Sequence, residues 1–248
     1  MEKITTLRNP VCTHIKKLGR NKSYREQQGL FLCDGFKLLN DALLNKTEIE
    51  TILISGEINF IPPPETRVYN VNKSIIDSLS PLKNPQGVLF SCRIKKATEC
   101  DYSTDVHILL DSVQDPGNVG TIIRNAFAFG IESVILTGGT ADIYNPKTIR
   151  ATMGAIFKQR VCSLNYDEII GLKNSGVIFA GSVNEADSVD IKQTSLKDII
   201  IILGNEGQGI SEELLKLCEK KIRITVSSEC ESINVASAAS IIMWEASR

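Results

Sequence analysis

Metal-binding residues are scarce in this chain. None of the seven cysteines, at positions 12, 33, 92, 100, 162, 218 and 230, forms a Cys-x-x-Cys pair, and the only histidines are His14 and His107. A structural zinc site needs ligands paired a few residues apart, so no metal is expected. The odd, scattered cysteines offer no disulfide framework and read as small, mostly buried residues of a reducing compartment. Long apolar runs are missing too: the longest, Ile199 to Leu203, falls far short of the roughly 20 residues of a membrane span. The opening Met-Glu-Lys-Ile-Thr-Thr-Leu-Arg has no apolar core, so no signal peptide and a cytoplasmic location are expected. No lysine follows the last glycine of Gly204-Asn-Glu-Gly-Gln-Gly-Ile, no Gly-x-Gly-x-x-Gly opens the first βα unit, and no Gly-x-Ser-x-Gly occurs. A Walker loop, a dinucleotide fingerprint and a hydrolase elbow are therefore unsupported.

What is present divides by charge. Residues 1–97 hold 15 Lys and Arg against 9 Asp and Glu, whereas residues 98–248 hold 13 against 20. Seven basic side chains fall within the first 25 residues: Lys3, Arg8, Lys16, Lys17, Arg20, Lys22 and Arg25. Such asymmetry predicts two domains, the first suited to a polyanion; a solvated basic helix accounts for the same residues equally well. Residues 1–97 read as a small α/β domain: a helix over 6–28 stopped at Gly29, strands Leu30–Cys33, Ile49–Ile54, Val68–Val71 and Val88–Ile94, and helices from Asp34-Gly35 and over Asn72–Leu79. Residues 98–105 are a polar linker.

The α/β rhythm resumes over 106–248. Strands are expected at Val106–Leu110, Ser133–Leu136, Val177–Gly181, Ile199–Leu203 and Lys221–Val226. Asn118 is the expected N-cap of a helix over 119–129, with Val119, Ile122, Ile123, Ala126 and Phe127 on its inner face. Further helices are expected over Asn145–Phe157, Ser211–Cys218 and Ile233–Ser247. Five consecutive apolar residues make Ile199–Leu203 a central strand of a mostly parallel sheet covered on both sides. Its ligand-binding turns supply backbone groups and one conspicuous cation.

Three junctions of this half carry the sharpest signal: Asn118…Arg124-Asn125, Gly204-x-Glu206-Gly207…Gly209-x-Ser211, and Ser232-x-Asn234-x-Ala236…Glu245. In order and spacing they resemble the three motifs of the SPOUT superfamily, more narrowly its SpoU branch of RNA ribose 2′-O-methyltransferases. The segment Ala141 to Phe157 fits the same branch. Phe31-Leu-Cys-Asp-Gly35 and Pro85-Gln-Gly87 are similar to the substrate-binding domain often fused to it, so the resemblance covers nearly the whole chain.

The resemblance implies a parallel-sheet domain with a deep trefoil knot, a homodimer through the C-terminal domain, and S-adenosyl-L-methionine as cofactor. It places that cofactor at Thr137, Gly138, Leu203, Gly204, Ile224, Ile233 and Ala236, and the chemistry at Arg124, Glu206, Ser232 and Asn234. Small residues at Ala236, Ser237, Ala239 and Ser240 would permit close helix approach in the dimer or serve internal packing. RNA is expected at Lys16, Lys17, Arg20, Lys22 and Asn118, with ribosomal RNA favoured over transfer RNA; a non-catalytic RNA-binding protein of the same fold is the alternative. Two departures stand out: Thr225 where the family often has proline, and Cys230-Glu231 just before the third motif.

Overall fold

The computed structural model describes residues 2–95, 100–227, 229 and 232–248. Cys230, Glu231 and the start of the expected linker lie outside them. Along the chain run β1 (Glu2–Ile4), α1 (Pro10–Arg20), α2 (Lys22–Gln28), β2 (Leu30–Asp34), α3 (Phe36–Leu44), β3 (Ile49–Ile54), β4 (Arg67–Val71), α4 (Lys73–Leu79), β5 (Val88–Arg93), β6 (Val106–Leu110) and α5 (Pro116–Ala128). There follow β7 (Ser133–Leu136), α6 (Pro146–Thr152), β8 (Arg160–Ser163), α7 (Tyr166–Asn174), β9 (Phe179–Ser182), β10 (Val189–Asp190), β11 (Ile199–Leu203), α8 (Glu212–Leu215), β12 (Lys220–Arg223) and α9 (Val235–Ala246). They form two compact units, Met1–Lys96 with Asp142–Phe157, and Ala97–Ala141 with Lys158–Arg248. No helix among the described residues is long and apolar enough to cross a membrane.

The first unit holds a mixed five-stranded sheet in the order β1-β4-β3-β5-β2. Alternation along β2 sends Leu30 and Leu32 to a core under α1 and α4, and Phe31 and Cys33 to a core under α3. Ile149, Phe157 and Tyr144 complete that second core, so residues 142–157 pack with this unit and not with the strands that flank them in sequence. A buried ion pair joins the two parts: the Arg25 guanidinium donates to Leu18 O at 2.7 Å and to the Asp142 carboxylate. Arg25 is thus a structural cation, withdrawn from the basic surface its neighbours were expected to form. Lys16, Lys17, Arg20 and Lys22 are exposed. Lys17 lies over the Tyr24 ring at 5.3 Å, and Lys22 pairs with Glu26 at 3.8 Å.

Two expected helices are interrupted. Asn21 is extended (φ −124°, ψ 113°) and divides the expected 6–28 helix; it ends α1, and its side chain caps α2 by accepting from Tyr24 N. The expected helix over Asn145–Phe157 starts as foreseen, with Asn145 its N-cap, but stops at Met153 (φ 50°). Gly154 follows at φ 92°, where a Cβ would meet Asp41 Oδ2 at 2.4 Å, and a short 3-10 turn over Ala155–Phe157 closes the segment.

The second unit is built on seven parallel strands in the order β10-β12-β9-β11-β6-β7-β8. β11 stands fourth of the seven, with all five side chains buried, as its unbroken apolar run requires. Each fully buried aliphatic of this kind contributes about 1.5–3 kcal/mol. Its neighbour β6 contains His107, buried and bonded to Ser133 Oγ and Thr104 O, both at 2.8 Å. The helix after β6 begins earlier than expected: Asp115, not Asn118, is its N-cap, accepting from Gly117 N at 2.7 Å and Asn118 N at 3.0 Å, with Pro116 the first helical residue. Val119, Ile122, Ile123 and Ala126 are buried as expected. Phe127 instead is exposed, with Lys158 Nζ 5.1 Å from its ring centre. The expected Ser211–Cys218 helix shortens to the four residues of α8.

Candidate active site

Three strand ends and one helix start converge on a cavity of about 380 Å³ in the second unit. β9 contributes Ser182; β11 contributes Leu203 and the following Gly204, Asn205 and Glu206; β12 contributes Arg223 and the following Ile224 and Val226. Ser232, Ile233, Asn234 and Val235 enter it at the start of α9. Carboxyl ends of parallel strands are where α/β sheets bind ligands, because strand connections open a crevice there. The volume lies within the range of small-molecule and cofactor pockets.

The loop after β11 is held tightly. Asn205 and Gly209 exchange backbone hydrogen bonds at 2.9 Å. The Asn205 carboxamide oxygen accepts from Gly207 N (2.9 Å) and Gln208 N (3.1 Å), while its Nδ2 donates to Ser112 O (2.8 Å). Buried Asp111 accepts from Ser211 N at 2.7 Å, fixing the loop's far end. Asn205 and Asp111 were not foreseen as site residues. The Asn-x-Gly spacing from Asn205 to Gly207 is the legible sign of such a side-chain turn; nothing comparable marks Asp111.

A chain of hydrogen bonds joins the three motifs. Asn234 caps α9, its Oδ1 accepting from Ala236 N (2.9 Å) and Ser237 N (3.3 Å), and its Nδ2 donates to Asn118 Oδ1 (3.1 Å). Asn118 Nδ2 donates in turn to Glu206 Oε1 (2.9 Å). Glu206 also accepts from Gln114 N (3.3 Å) and Asp115 N (3.4 Å), so an anion sits at the N-terminus of α5. Partial burial pushes the Glu206 carboxyl up, but the Asn118 amide and these backbone N–H groups outweigh it and hold the group below its usual value. Glu206 therefore binds a proton weakly, which suits it to positioning rather than proton abstraction.

A stability prediction follows. With its folded value lowered, the Glu206 carboxylate stabilises the chain above its ordinary value near 4.5, and this contribution fades as pH falls through the lowered value. Glu206→Gln is expected to lower the melting temperature at neutral pH, and the gap from wild type should narrow as pH falls through the carboxyl's lowered value. The carboxylate is exposed and screened, so the neutral-pH loss is about 1 kcal/mol or less. Thermal melts across pH check this; a gap that widens in acid would contradict it.

The expected residues distribute unevenly. Leu203, Gly204, Ile224, Ile233, Glu206, Ser232 and Asn234 all line the cavity. Thr137 and Gly138 line a different one. Ala236 and Ala239 are buried, and Ser240 accepts from Asn125 Nδ2 at 2.6 Å, so these small residues serve packing of α9 on α5 within one chain. Ser237 is exposed. Arg124 is exposed on α5 and does not line the cavity, and its side chain makes no hydrogen bond or ion pair among the described residues. Asn118 has its amide engaged on both sides, by Glu206 and Asn234. Thr225 donates to the Asp190 carboxylate, tying the segment after β12 to β10. Neither histidine lines the cavity.

Comparison with known proteins agrees with this geometry. A family model described as the SpoU rRNA Methylase family matches residues 105–244, and one described as the MRM3-like substrate binding domain matches residues 9–89. The 23S rRNA (guanosine(2553)-2'-O)-methyltransferase RlmP of Bacillus subtilis is 31% identical over 249 residues, 98% of each chain. The mitochondrial rRNA methyltransferase 3 of Xenopus tropicalis is 26% identical, over 94% of this chain and 73% of its own length. The crystal structure of an AdoMet-bound rRNA methyltransferase from Sinorhizobium meliloti superposes with a TM-score of 0.87 at 29% identity, over 99% of this chain and 97% of that one. Motifs, fold and relatives converge: the chain belongs to the SpoU rRNA methylase family.

Proposed function

We propose that this protein transfers the methyl group of S-adenosylmethionine to the 2′-hydroxyl of a ribose in ribosomal RNA. The observation that carries the reading is the continuous link Glu206–Asn118–Asn234, which ties the loop after β11 to the starts of α5 and α9 beside one cavity. The cavity fits the cofactor's chemistry: Leu203, Ile224, Val226 and Ile233 give apolar walls for an adenine, and residues just past strand ends present backbone groups for its polar edge. Bound there, the cofactor supplies a methyl group activated by a sulfonium. Leu203, Gly204, Ile224 and Ile233 hold it, while Ser232 and Asn234 stand beside it and Glu206 keeps the start of α5 in place.

Arg124 acts on the RNA. A guanidinium has a pKa above about 12 and does not serve as a free base at neutral pH. It grips the phosphate next to the target ribose and favours the alkoxide that forms as the hydroxyl attacks the methyl carbon and passes its proton to solvent water, the sulfonium leaving as a neutral thioether. Lys16, Lys17, Arg20 and Lys22 of the first unit supply phosphate contacts for the rest of the substrate. The protein acts in the cytoplasm, a reading supported by six free cysteines among the described residues. The knot of the SPOUT fold and a homodimer belong to the same reading. Phe127 of α5 and Ile241 and Trp244 of α9 are exposed apolar side chains suited to such an interface, and Arg124 lies one turn from Phe127.

Mass-spectrometric mapping of ribose methylation in ribosomal RNA, with and without the gene, tests the function. One 2′-O-methyl group is expected to vanish with the gene and return on complementation. Unaltered methylation would sink the reading.

A further inference from the structure

Thr137 and Gly138, set apart from the first cavity, line a second one of about 350 Å³ in the same unit. Asp111, Thr137 and Leu164 lie on its wall, and each immediately follows the last residue of its strand, β6, β7 or β8. The strand order therefore sets two cavities on one carboxyl edge of the sheet, the first over β12, β9 and β11 and the second over β6, β7 and β8. The loop from Gly204 to Ser211 contributes to both, Glu206 lining the first and Ser211 the second. Asp111 anchors this partition through Ser211 N and through its own N–H, which donates to Leu203 O at 2.9 Å.

The lining selects the kind of occupant. Leu164, Ile169 and Leu214 give an apolar side, and Tyr166, a residue 42% exposed, adds an aromatic ring whose hydroxyl donates to Glu213 O at 3.4 Å. The Glu213 carboxylate has no hydrogen bond or ion pair among the described residues, and Ser211 makes no capping bond with its side chain. Two carboxylates and no lysine or arginine line the space, which disfavours phosphate. A flat, apolar-faced group with N–H donors on its edge suits it: aromatic rings stack on unpaired bases, and carboxylates accept from exocyclic amino groups.

We propose that this second cavity receives an unpaired, amino-bearing nucleobase of the RNA substrate, stacked on Tyr166 and read by Glu213. The proposal rests on the RNA-methylating function above and deepens it by naming a specificity-determining subsite.

Ribosomal RNA from cells lacking the gene is the probe. Its retention on filters is measured for the full chain, Tyr166→Ala, Tyr166→Phe and Glu213→Gln, with S-adenosylmethionine affinity by calorimetry and methyl transfer in parallel. Tyr166→Ala is expected to weaken RNA binding about tenfold or more, and Tyr166→Phe, which keeps the ring, to bind like wild type. Wild type should be displaced more readily by poly(C) than by poly(U), and Glu213→Gln should lose that preference. Cofactor affinity should be the same in all four proteins. An unchanged RNA affinity in Tyr166→Ala, an equal loss in Tyr166→Phe, or a wild type indifferent to the two polymers overturns the proposal. So does weakened cofactor binding, which would make the cavity part of the cofactor site. Because RNA binding is the readout, a wild type that holds the RNA without methylating it counts against the reaction alone, and the four affinities still decide the cavity.

Discussion

Arg124→Ala is expected to fold, to bind S-adenosylmethionine as wild type does, and to lose methyl transfer by about a hundredfold or more. The expected size is that of removing one preorganised electrostatic partner from a developing oxyanion. Folding should survive because the side chain is exposed and makes no hydrogen bond or ion pair among the described residues; surface changes of this kind usually shift stability by no more than about 0.5 kcal/mol. Cofactor binding should survive because Arg124 does not line the cavity. Arg124→Lys refines the test: it keeps the charge and loses the planar fork, so it should recover only part of the rate if phosphate is gripped through two parallel hydrogen bonds. Single-turnover rates at saturating RNA, with calorimetry for the cofactor, decide the matter. Retained turnover in Arg124→Ala would remove the residue from the reaction.

Gly204→Ala is expected to do the opposite, destroying the site by destroying the loop. A Cβ at this position would lie 2.1 Å from the Gly209 carbonyl carbon, 2.3 Å from Ile210 N and 2.4 Å from Gly209 O. All three are backbone atoms, so no rotamer change relieves the clash. The loop must open, giving up the paired Asn205–Gly209 hydrogen bonds and displacing Glu206, which lies between them. Overpacking in well-packed regions costs about 1–3 kcal/mol and sometimes more, and this case belongs at the upper end. Gly207→Ala is the internal control, because its added Cβ would meet nothing nearer than Asn205 Oδ1 at 3.7 Å. Urea denaturation and cofactor calorimetry on both variants should show a large loss for the first and little for the second. Wild-type stability in Gly204→Ala would mean the loop yields more easily than its geometry implies.

How far the sequence foretold this structure depended on which force set each element. Ile49–Ile54, Val106–Leu110, Ser133–Leu136 and Ile199–Leu203 are strands with the expected bounds, because short segments rich in β-branched and aliphatic residues, alternating at Ile49–Ile54 and unbroken at Ile199–Leu203, fit a pleated, buried surface. Local signals could mislead where two competed. Asp115-Pro116 and Asn118 are both helix-start signals, and proline at the first helical position settles the choice in favour of the earlier one. Neither β8 nor α7 was among the expected elements: β8 is a four-residue edge strand with little alternation, and the Asn165…Glu168 capping box that starts α7 went unread. The turn at Met153 was not legible, since a non-glycine residue at positive φ reflects contacts made by the folded chain. In the site, motif spacing foretold the loops that meet, Gly204–Glu206 with Ser232–Asn234. It did not foretell that Thr137 and Gly138 face another cavity, because which strand ends share a crevice depends on sheet order, and spacing does not contain it.

Residues 142–157 bear on how such a protein can be inherited. Leaving the second unit after β7 and returning before β8, they make the chain pass between the two units three times. A genetic exchange with one breakpoint near residue 97 would part the core of the N-terminal piece from its own Ile149 and Phe157, and its buried Arg25 from its own Asp142. A recipient segment that offers no carboxylate at that place would leave a buried charge unpaired, which is strongly destabilising. Shuffling between relatives therefore favours exchanges in which the first unit travels with its own copy of 142–157, a stretch that lies inside the methylase half of the sequence.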